Sequence, residues 1–341
     1  MAGKPDAKLK MLAVLDILWY LTDEENILSA NEICALLEER EIFAERKSIY
    51  ADIDNLTKFG FDIVCTKFPK RGYFMASRSF EVAEVRLLLD AVMGAQFISN
   101  KKAQALKEKL FKLLSNSQAE RIDRRLVPCN RLKCDNEELY YTIDTINSAI
   151  ERGLKIEFKY IRRALTKRVS ARTYERVFKV SPYGLVWTGD RYYLVSNNEK
   201  YDNLMHTRLD RMTKVKIIYD ERIRPYSQIT GKKEDFNPAA YAAVHLNMFS
   251  GEQADIELCC STDILDEILD RFGNDVPLRA VENDRFIIKT QAAISKGLVA
   301  WLLQYSADIK VLSPQSLADE IVRNAGSILA LYKTDDGVIS E

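Results

Sequence analysis

The run S-P-Y-G-L-V-W-T-G-D-R-Y-Y-L-V-S-N-N-E-K-Y-D-N-L-M-H-T-R-L-D-R, residues 181–211, decides how the middle of the chain folds. Leu185, Val186 and Trp187 form an apolar, strand-like segment. Thr188-Gly189-Asp190 follows as a turn, because glycine supplies positive φ without steric cost and aspartate tolerates turn geometry. Arg191 to Val195 reads as the returning strand. A polar loop, Ser196 to Asp202, leads into a third strand-like run, Leu204 to Asp210. The three segments make a small antiparallel unit with Arg, Tyr and His side chains on neighbouring strands. Guanidinium groups fork onto phosphate or carboxylate, and tyrosines offer a flat stacking face. The unit suits an anionic ligand that carries a ring.

Working outward, Glu137 to Arg152 reads as a helix stopped by Gly153. Leu154 to Tyr160 alternates as a half-buried strand. Arg162 to Arg172 is a basic loop, Arg176 to Val180 the next strand, and Lys214 to Tyr219 the strand that closes the unit. The candidate ligand residues are Tyr193, His206, Arg208 and Arg211, with Arg191 and Tyr160 behind them. Strand alternation puts His206, Arg208 and Asp210 on one face and Arg211 on the other, unless a bulge intervenes. Trp187 and Tyr192 are assigned to the core.

These segments resemble a WYL domain, a family named for a Trp-Tyr-Leu triplet on one strand. The triplet here is Tyr192-Tyr193-Leu194, with tyrosine in place of the family's tryptophan. The basic strand that follows in the family is met by Arg208-Leu209-Asp210-Arg211-Met212. The resemblance implies an Sm-like, SH3-type small barrel that binds a nucleotide or nucleic-acid ligand and regulates an attached DNA-binding domain.

At 341 residues the chain has room for two or three domains. No run approaches a membrane span, and Met1 to Asp6 lacks the features of a signal peptide, so a cytoplasmic protein is expected. The six cysteines form no Cys-x-x-Cys pair, and His206 and His245 are the two histidines. No metal site or cofactor is expected, and the thiols read as reduced. Phosphate-cradling Gly loops, H-E-x-x-H and Gly-x-Ser-x-Gly are absent from the sequence, so no catalytic residues are expected. Net charge is zero, but residues 151–225 carry 18 Lys/Arg against 9 Asp/Glu, and residues 226–341 carry 10 against 18. A basic middle beside an acidic end points to an anionic partner for the middle.

Toward the N-terminus, Lys8 to Leu21 has a broad apolar stripe at helical spacing. Ser29-Ala30-Asn31-Glu32 is a capping box that starts a second helix. A third, Glu45 to Phe59, stops at Gly60. Phe61 to Cys65 and Tyr73 to Met75 form a hairpin around the basic turn Lys67 to Gly72. Arg46, Lys47, Ser48 and Tyr50, at the start of the third helix, are the candidate base and phosphate contacts. Lys67, Lys70 and Arg71 lie on the wing. Residues 8–78 resemble the winged helix of DeoR-type regulators, including the R-x-S-I-x-x-D-I-x-x-L-x-x-x-G run on the third helix. Asp52 and Asp54 temper that helix's charge, which favours a homodimer on two half-sites.

Glu81 to Ser99, Lys101 to Leu114 and Glu120 to Leu126 read as helices that either pack within one chain or dimerise. Glu221 to Asn247 reads as an irregular linker with one helical turn. The tail alternates strand and helix: Ala254–Cys260, Ile264–Phe272, Arg285–Ala293, Ser295–Gln304, Ile309–Leu312 and Pro314–Leu331. It resembles the C-terminal extension found after WYL domains. The expected architecture is multidomain α+β. A winged helix-turn-helix occupies 1–78, a helical linker or dimerisation segment 79–136 and a WYL barrel 137–220. A linker, 221–250, and a small α/β domain, 251–335, complete it. Two functions fit. One is a dimeric regulator of double-stranded DNA that senses a nucleotide or single-stranded nucleic acid. The other is an accessory single-strand binder of a phage-defence or CRISPR-type system.

Overall fold

A computed structural model describes residues 7–68, 70–126, 133–134, 136–165, 171–231 and 235–332. The chain is a mixed α and β protein with several sheets, and it divides into two compact units, residues 1–137 and 138–341.

The first unit begins with α1 (Ala7–Leu21), α2 (Ala30–Glu38) and α3 (Arg46–Phe59), followed by the hairpin of β1 (Ile63–Thr66) and β2 (Gly72–Met75). The capping box forms: the Glu32 N–H donates to the Ser29 hydroxyl at 3.3 Å, and the Ser29 N–H donates to the Glu32 carboxylate at 2.7 Å. Gly60 ends α3 at φ 120°. Val14, Ile17, Leu18, Ile33, Leu37, Ile49 and Met75 meet in one core. The Arg78 guanidinium donates to the carbonyls of Trp19 and Thr22 at 2.7 and 2.6 Å, satisfying groups that α1 leaves unpaired at its C-terminal end.

Three more helices follow: α4 (Val82–Gly94), α5 (Asn100–Phe111) and α6 (Asn116–Asp123). The first two are shorter than their apolar periodicity predicts, because Ala95 turns extended and Ser99 caps a fresh start. The third begins at Asn116 rather than Glu120, since Ser115 and Gln118 make a second capping box. The Ser115 hydroxyl also bonds the Asp23 carboxylate, and the Trp19 indole N–H donates to the Lys112 carbonyl at 3.2 Å. These bonds hold the helices against α1.

The second unit opens with α7 (Leu139–Arg152), stopped by Gly153 at φ 63°. Then come β3 (Leu154–Leu165), β4 (Ala171–Thr188), β5 (Arg191–Asn197), β6 (Leu204–Arg208), a 3-10 turn Leu209–Arg211, and β7 (Met212–Arg222). The sheet order is β6-β5-β4-β3-β7, a four-strand meander with the last strand returning beside the first. Gly189 and Asp190, at φ 54° and 55°, make the β4–β5 turn. The strands are longer than expected. β3 and β4 extend into the stretch read as a basic loop, of which residues 166–170 lie outside the described residues. β4 runs unbroken through Pro182. A bulge between Pro182 and Gly184 accommodates the missing proline N–H, and there β4 changes partner from β3 to β5.

Residues 221–250 differ most from expectation. They carry α8 (Tyr226–Thr230), α9 (Pro238–Val244) and a 3-10 turn Leu246–Met248, and those elements pack onto the sheet as a strap. Phe236, Tyr241 and Met248 bury Val186 and Val195. A Cβ on Gly184 would lie 2.3 Å from the Phe236 ring, so this glycine is the seat of the strap.

Beyond the strap lie β8 (Glu252–Ser261), α10 (Leu265–Phe272), β9 (Leu278–Val281), β10 (Arg285–Ile294), α11 (Lys296–Gln304), β11 (Ile309–Ser313) and α12 (Gln315–Tyr332). The antiparallel order β11-β8-β10-β9 is the split β-α-β arrangement of ferredoxin-like folds. The strand that sequence periodicity missed, β9, is an edge strand with mostly exposed side chains, so burial imposes no alternation on it. Among the described residues, no helix is long and apolar enough to cross a membrane.

Candidate ligand site and nucleic-acid interface

In the first unit, α3 starts with Arg46, and Arg46 and Lys47 are both exposed. Ser48 is half-buried, and its hydroxyl donates to the Glu45 carbonyl at 2.8 Å, so it serves the helix start. Tyr50 is exposed, with its ring centroid 6.2 Å from that of Tyr73 on β2. The acids of α3 are neutralised away from this end. Asp52 is buried against Lys10 at 2.9 Å, and Asp54 pairs with Lys58 one turn on. The first turn of α3 therefore keeps its positive charge.

On the hairpin, Lys67 and Arg71 are exposed. Lys70 is engaged differently: its ammonium reaches the Glu32 carboxylate at 2.6 Å. That bond, aided by the Ser29 backbone, holds the Glu32 pKa down at about 2. Lys70 thus ties the hairpin to the start of α2. Phe68, unremarked in the sequence, projects from the hairpin at 84 % exposure.

In the second unit, Tyr193 on β5 and Arg208 on β6 are direct cross-strand partners, as are Val195 and His206. The Arg208 guanidinium forks onto both oxygens of Asp210, at 3.0 and 2.6 Å. Arg191 lies 3.6 Å from the same carboxylate. Two arginines thus converge on one aspartate in a half-buried place. The bond to Asp210 raises the Arg208 pKa, while burial raises that of Tyr193 against the pull of Arg208 and Arg191. Asp210 gets there because the 3-10 turn bends the chain after β6, which places it beside Arg208 instead of two residues along a strand.

Tyr160 is buried, edge-on to Phe158 and Phe178, and close enough to Tyr193 and Arg208 to act on both electrostatically. Arg211 and His206 lie apart from that cluster. Arg211 is exposed on the turn and makes no ion pair among the described residues. His206 lies under the strap. Its Nε2 shares a hydrogen bond with the Tyr241 hydroxyl at 2.8 Å, and Nδ1 shares one with the Ser250 hydroxyl at 3.3 Å. Burial first, then nearby His245, lowers its pKa to about 4, so near neutral pH the ring is uncharged. It reads as a strap anchor rather than a cation for a ligand.

Trp187 corrects the sequence reading. It is 59 % exposed and stacks on its cross-strand partner Tyr192, with centroids 6.3 Å apart and planes at 17°. Alternation puts the pair on the face opposite Val186 and Tyr193, at the turn end of the β4–β5 hairpin.

Residues 141–217 match the WYL domain, and residues 252–329 match the WCX domain. Among solved structures the chain is similar to the proteasome accessory factor B/C (PafBC) of Arthrobacter aurescens. Identity is 18%, TM-score 0.26, and the match covers 97% of this chain and 48% of that one, so the chain spans about half its length. A CRISPR Cas-related protein is similar at 13% identity and a TM-score of 0.25, over 96% of this chain and 84% of that one. No curated protein matches the chain.

Proposed function

We propose that this protein is a ligand-responsive, DNA-binding transcriptional regulator. The N-terminal three helices and hairpin act as a winged helix, with Arg46, Lys47 and Tyr50 toward base edges and Lys67 and Arg71 on phosphates. The barrel senses an anionic ligand, a nucleotide or nucleic acid, through Arg208, Arg191 and Tyr193. The observation that carries this reading is the Arg208–Asp210–Arg191 cluster, which lies within the residues that match the WYL domain. A ligand phosphate competes with Asp210 for the two guanidiniums. It shifts the protein between states only by its differential affinity for them.

Selection from a random duplex library tests the reading. The intact protein is expected to enrich a two-fold-related motif, as a dimer on half-sites would, and an Arg46→Ala/Lys47→Ala variant is expected to enrich none. Recovery of the same motif by the variant would remove α3 as the reading helix.

The uneven charge favours a second reading. Residues 151–225 hold the positive excess, whereas residues 1–150 carry 22 Lys/Arg against 23 Asp/Glu. In an accessory single-strand binder the barrel supplies the main affinity. The Arg46→Ala/Lys47→Ala variant would then keep its nucleic-acid binding undiminished.

A further inference from the structure

The β3–β4 hairpin outgrows its sheet. β7 accompanies β3 only as far as Tyr160, and β5 joins β4 only from Ser181. Beyond Tyr160 and Arg176, the two strands pair with each other and, among the described residues, with no third strand. Arg162 lies opposite Tyr174, and Arg176 opposite Tyr160. Cross-strand partners share a face, and so do residues two apart along a strand. One face of this arm therefore presents Arg162, Tyr174 and Arg176 together, running into the buried rings of Phe158 and Phe178. The Arg176 guanidinium lies 5.2 Å from the Phe178 ring centroid.

At the base of the arm is a groove of about 510 Å³, lined by Arg162, Arg176, Lys179, Glu199, Lys200 and Tyr201 among others. Its negative charge is already compensated. Glu199 is bonded by the nearly buried Lys155, which also bonds Glu221 at 3.1 Å, and Glu221 bonds Lys179. Those two lysines and two glutamates cancel. Arg162, Arg176 and Lys200 remain, with no carboxylate partner among the described residues. Tyr201, 60 % exposed, stands on a fixed loop: the buried Asn197 amide donates to the carbonyls of Tyr201 and Asn203 at 2.8 and 2.9 Å. A second groove, about 450 Å³, meets the first at Tyr201 and continues past His206 to Ser250. Neither groove is lined by Arg191, Arg208 or Asp210.

We propose that this track is a second binding site, for the backbone of single-stranded nucleic acid, separate from the Arg208 cluster. Uncompensated cations along a groove follow a phosphate chain. An exposed tyrosine on a rigid loop stacks a base, which an unpaired strand offers and a duplex does not. Two grooves joined end to end fit several nucleotides in a row. The proposal rests on the barrel's being a nucleic-acid sensor, and it assigns that sensor an oligonucleotide rather than a mononucleotide.

The test uses the full chain carrying Arg46→Ala/Lys47→Ala/Lys67→Ala/Arg71→Ala, which removes the proposed duplex contacts. The probe is fluorescein-labelled oligothymidylate of about 12 nucleotides, within the usual span of single-strand sites. Adding Arg162→Glu/Lys200→Glu is expected to weaken binding about tenfold or more and to reduce the salt slope by about 1.4, roughly 0.7 per phosphate contact. Tyr201→Ala is expected to weaken it severalfold with little change in salt slope. All three residues are exposed, so circular dichroism should be unchanged. Arg208→Ala is expected to lose nucleoside monophosphate binding while keeping most of the oligonucleotide affinity. Unchanged affinity in the groove variants, or no oligonucleotide binding by the parent, would overturn the second site. Monophosphate binding through Arg208, and duplex recognition by protein with Arg46 and Lys47 intact, would survive either result.

Discussion

Asp210 holds two guanidiniums that a ligand anion would need, so it acts as the resident competitor. Asp210→Asn keeps the shape and removes the charge. Titration calorimetry should then show tighter binding of a nucleoside monophosphate, and equal or weaker binding would mean that the arginines only brace the turn. Arg208→Ala removes the forked pair on the Asp210 carboxylate and should destabilise the second unit by about 1–3 kcal/mol, the cost of breaking a largely buried ion pair. His206 makes a pH prediction. Its folded pKa, about 4, lies below the unfolded value near 6.5, so the unfolded chain binds its proton first. The stability contributed by the neutral ring is full above pH 6.5 and lost as pH falls toward 4, by up to about 3 kcal/mol. Denaturant melts of His206→Phe against wild type should show this slope flattened; parallel slopes would contradict the assignment. The pairing of His206 with Tyr241 was not readable from sequence, because it joins residues across the strap.

At the scale of elements, the Ser29 capping box and the glycine stops were legible because they are local. Ser29 with Glu32, Gly60 and Gly153 each act within a few residues. The strap was not legible, since a segment with Pro225, Gly231 and Pro238 lacks periodicity until it has a surface to cover. Its seat gives a test. Gly184→Ala places a methyl in the Phe236 ring and should cost about 1–3 kcal/mol. Phe236→Leu in that background should recover part of the loss, and additive losses in the double-mutant cycle would show that the two do not touch. The β1–β2 hairpin provides another. Lys70→Met should let the Glu32 carboxyl titrate nearer its ordinary value of 4.5 instead of about 2, as followed by carboxyl NMR. A depressed carboxylate stabilises above its unfolded pKa, so the contribution of this exposed pair is lost as pH falls from 4.5 toward 2. It is worth less than about 1 kcal/mol.

For the whole molecule, each compact unit has a core of its own: Ile17, Leu18 and Ile33 in one, and Ile256, Leu258 and Ile288 in the other. Calorimetry should accordingly resolve two transitions, and acidification from pH 6.5 to 4 should lower the one that contains His206 more in wild type than in His206→Phe. A single transition insensitive to that substitution would contradict this. The sequence by itself determined the helices outside the strap, most strands, the two-strand turn at Gly189 and the basic character of residues 151–225, since all of these follow from spacing, propensity and charge along the chain. Tertiary structure alone decided which charges remain available. It turned Asp52 onto Lys10, spent Lys70 on Glu32, closed Asp210 over Arg208 and Arg191, and buried Tyr160 while exposing Trp187. The physical reason is that periodicity records which face of an element is apolar. The partner of a charged group is set by elements distant in sequence that folding brings within a few ångströms.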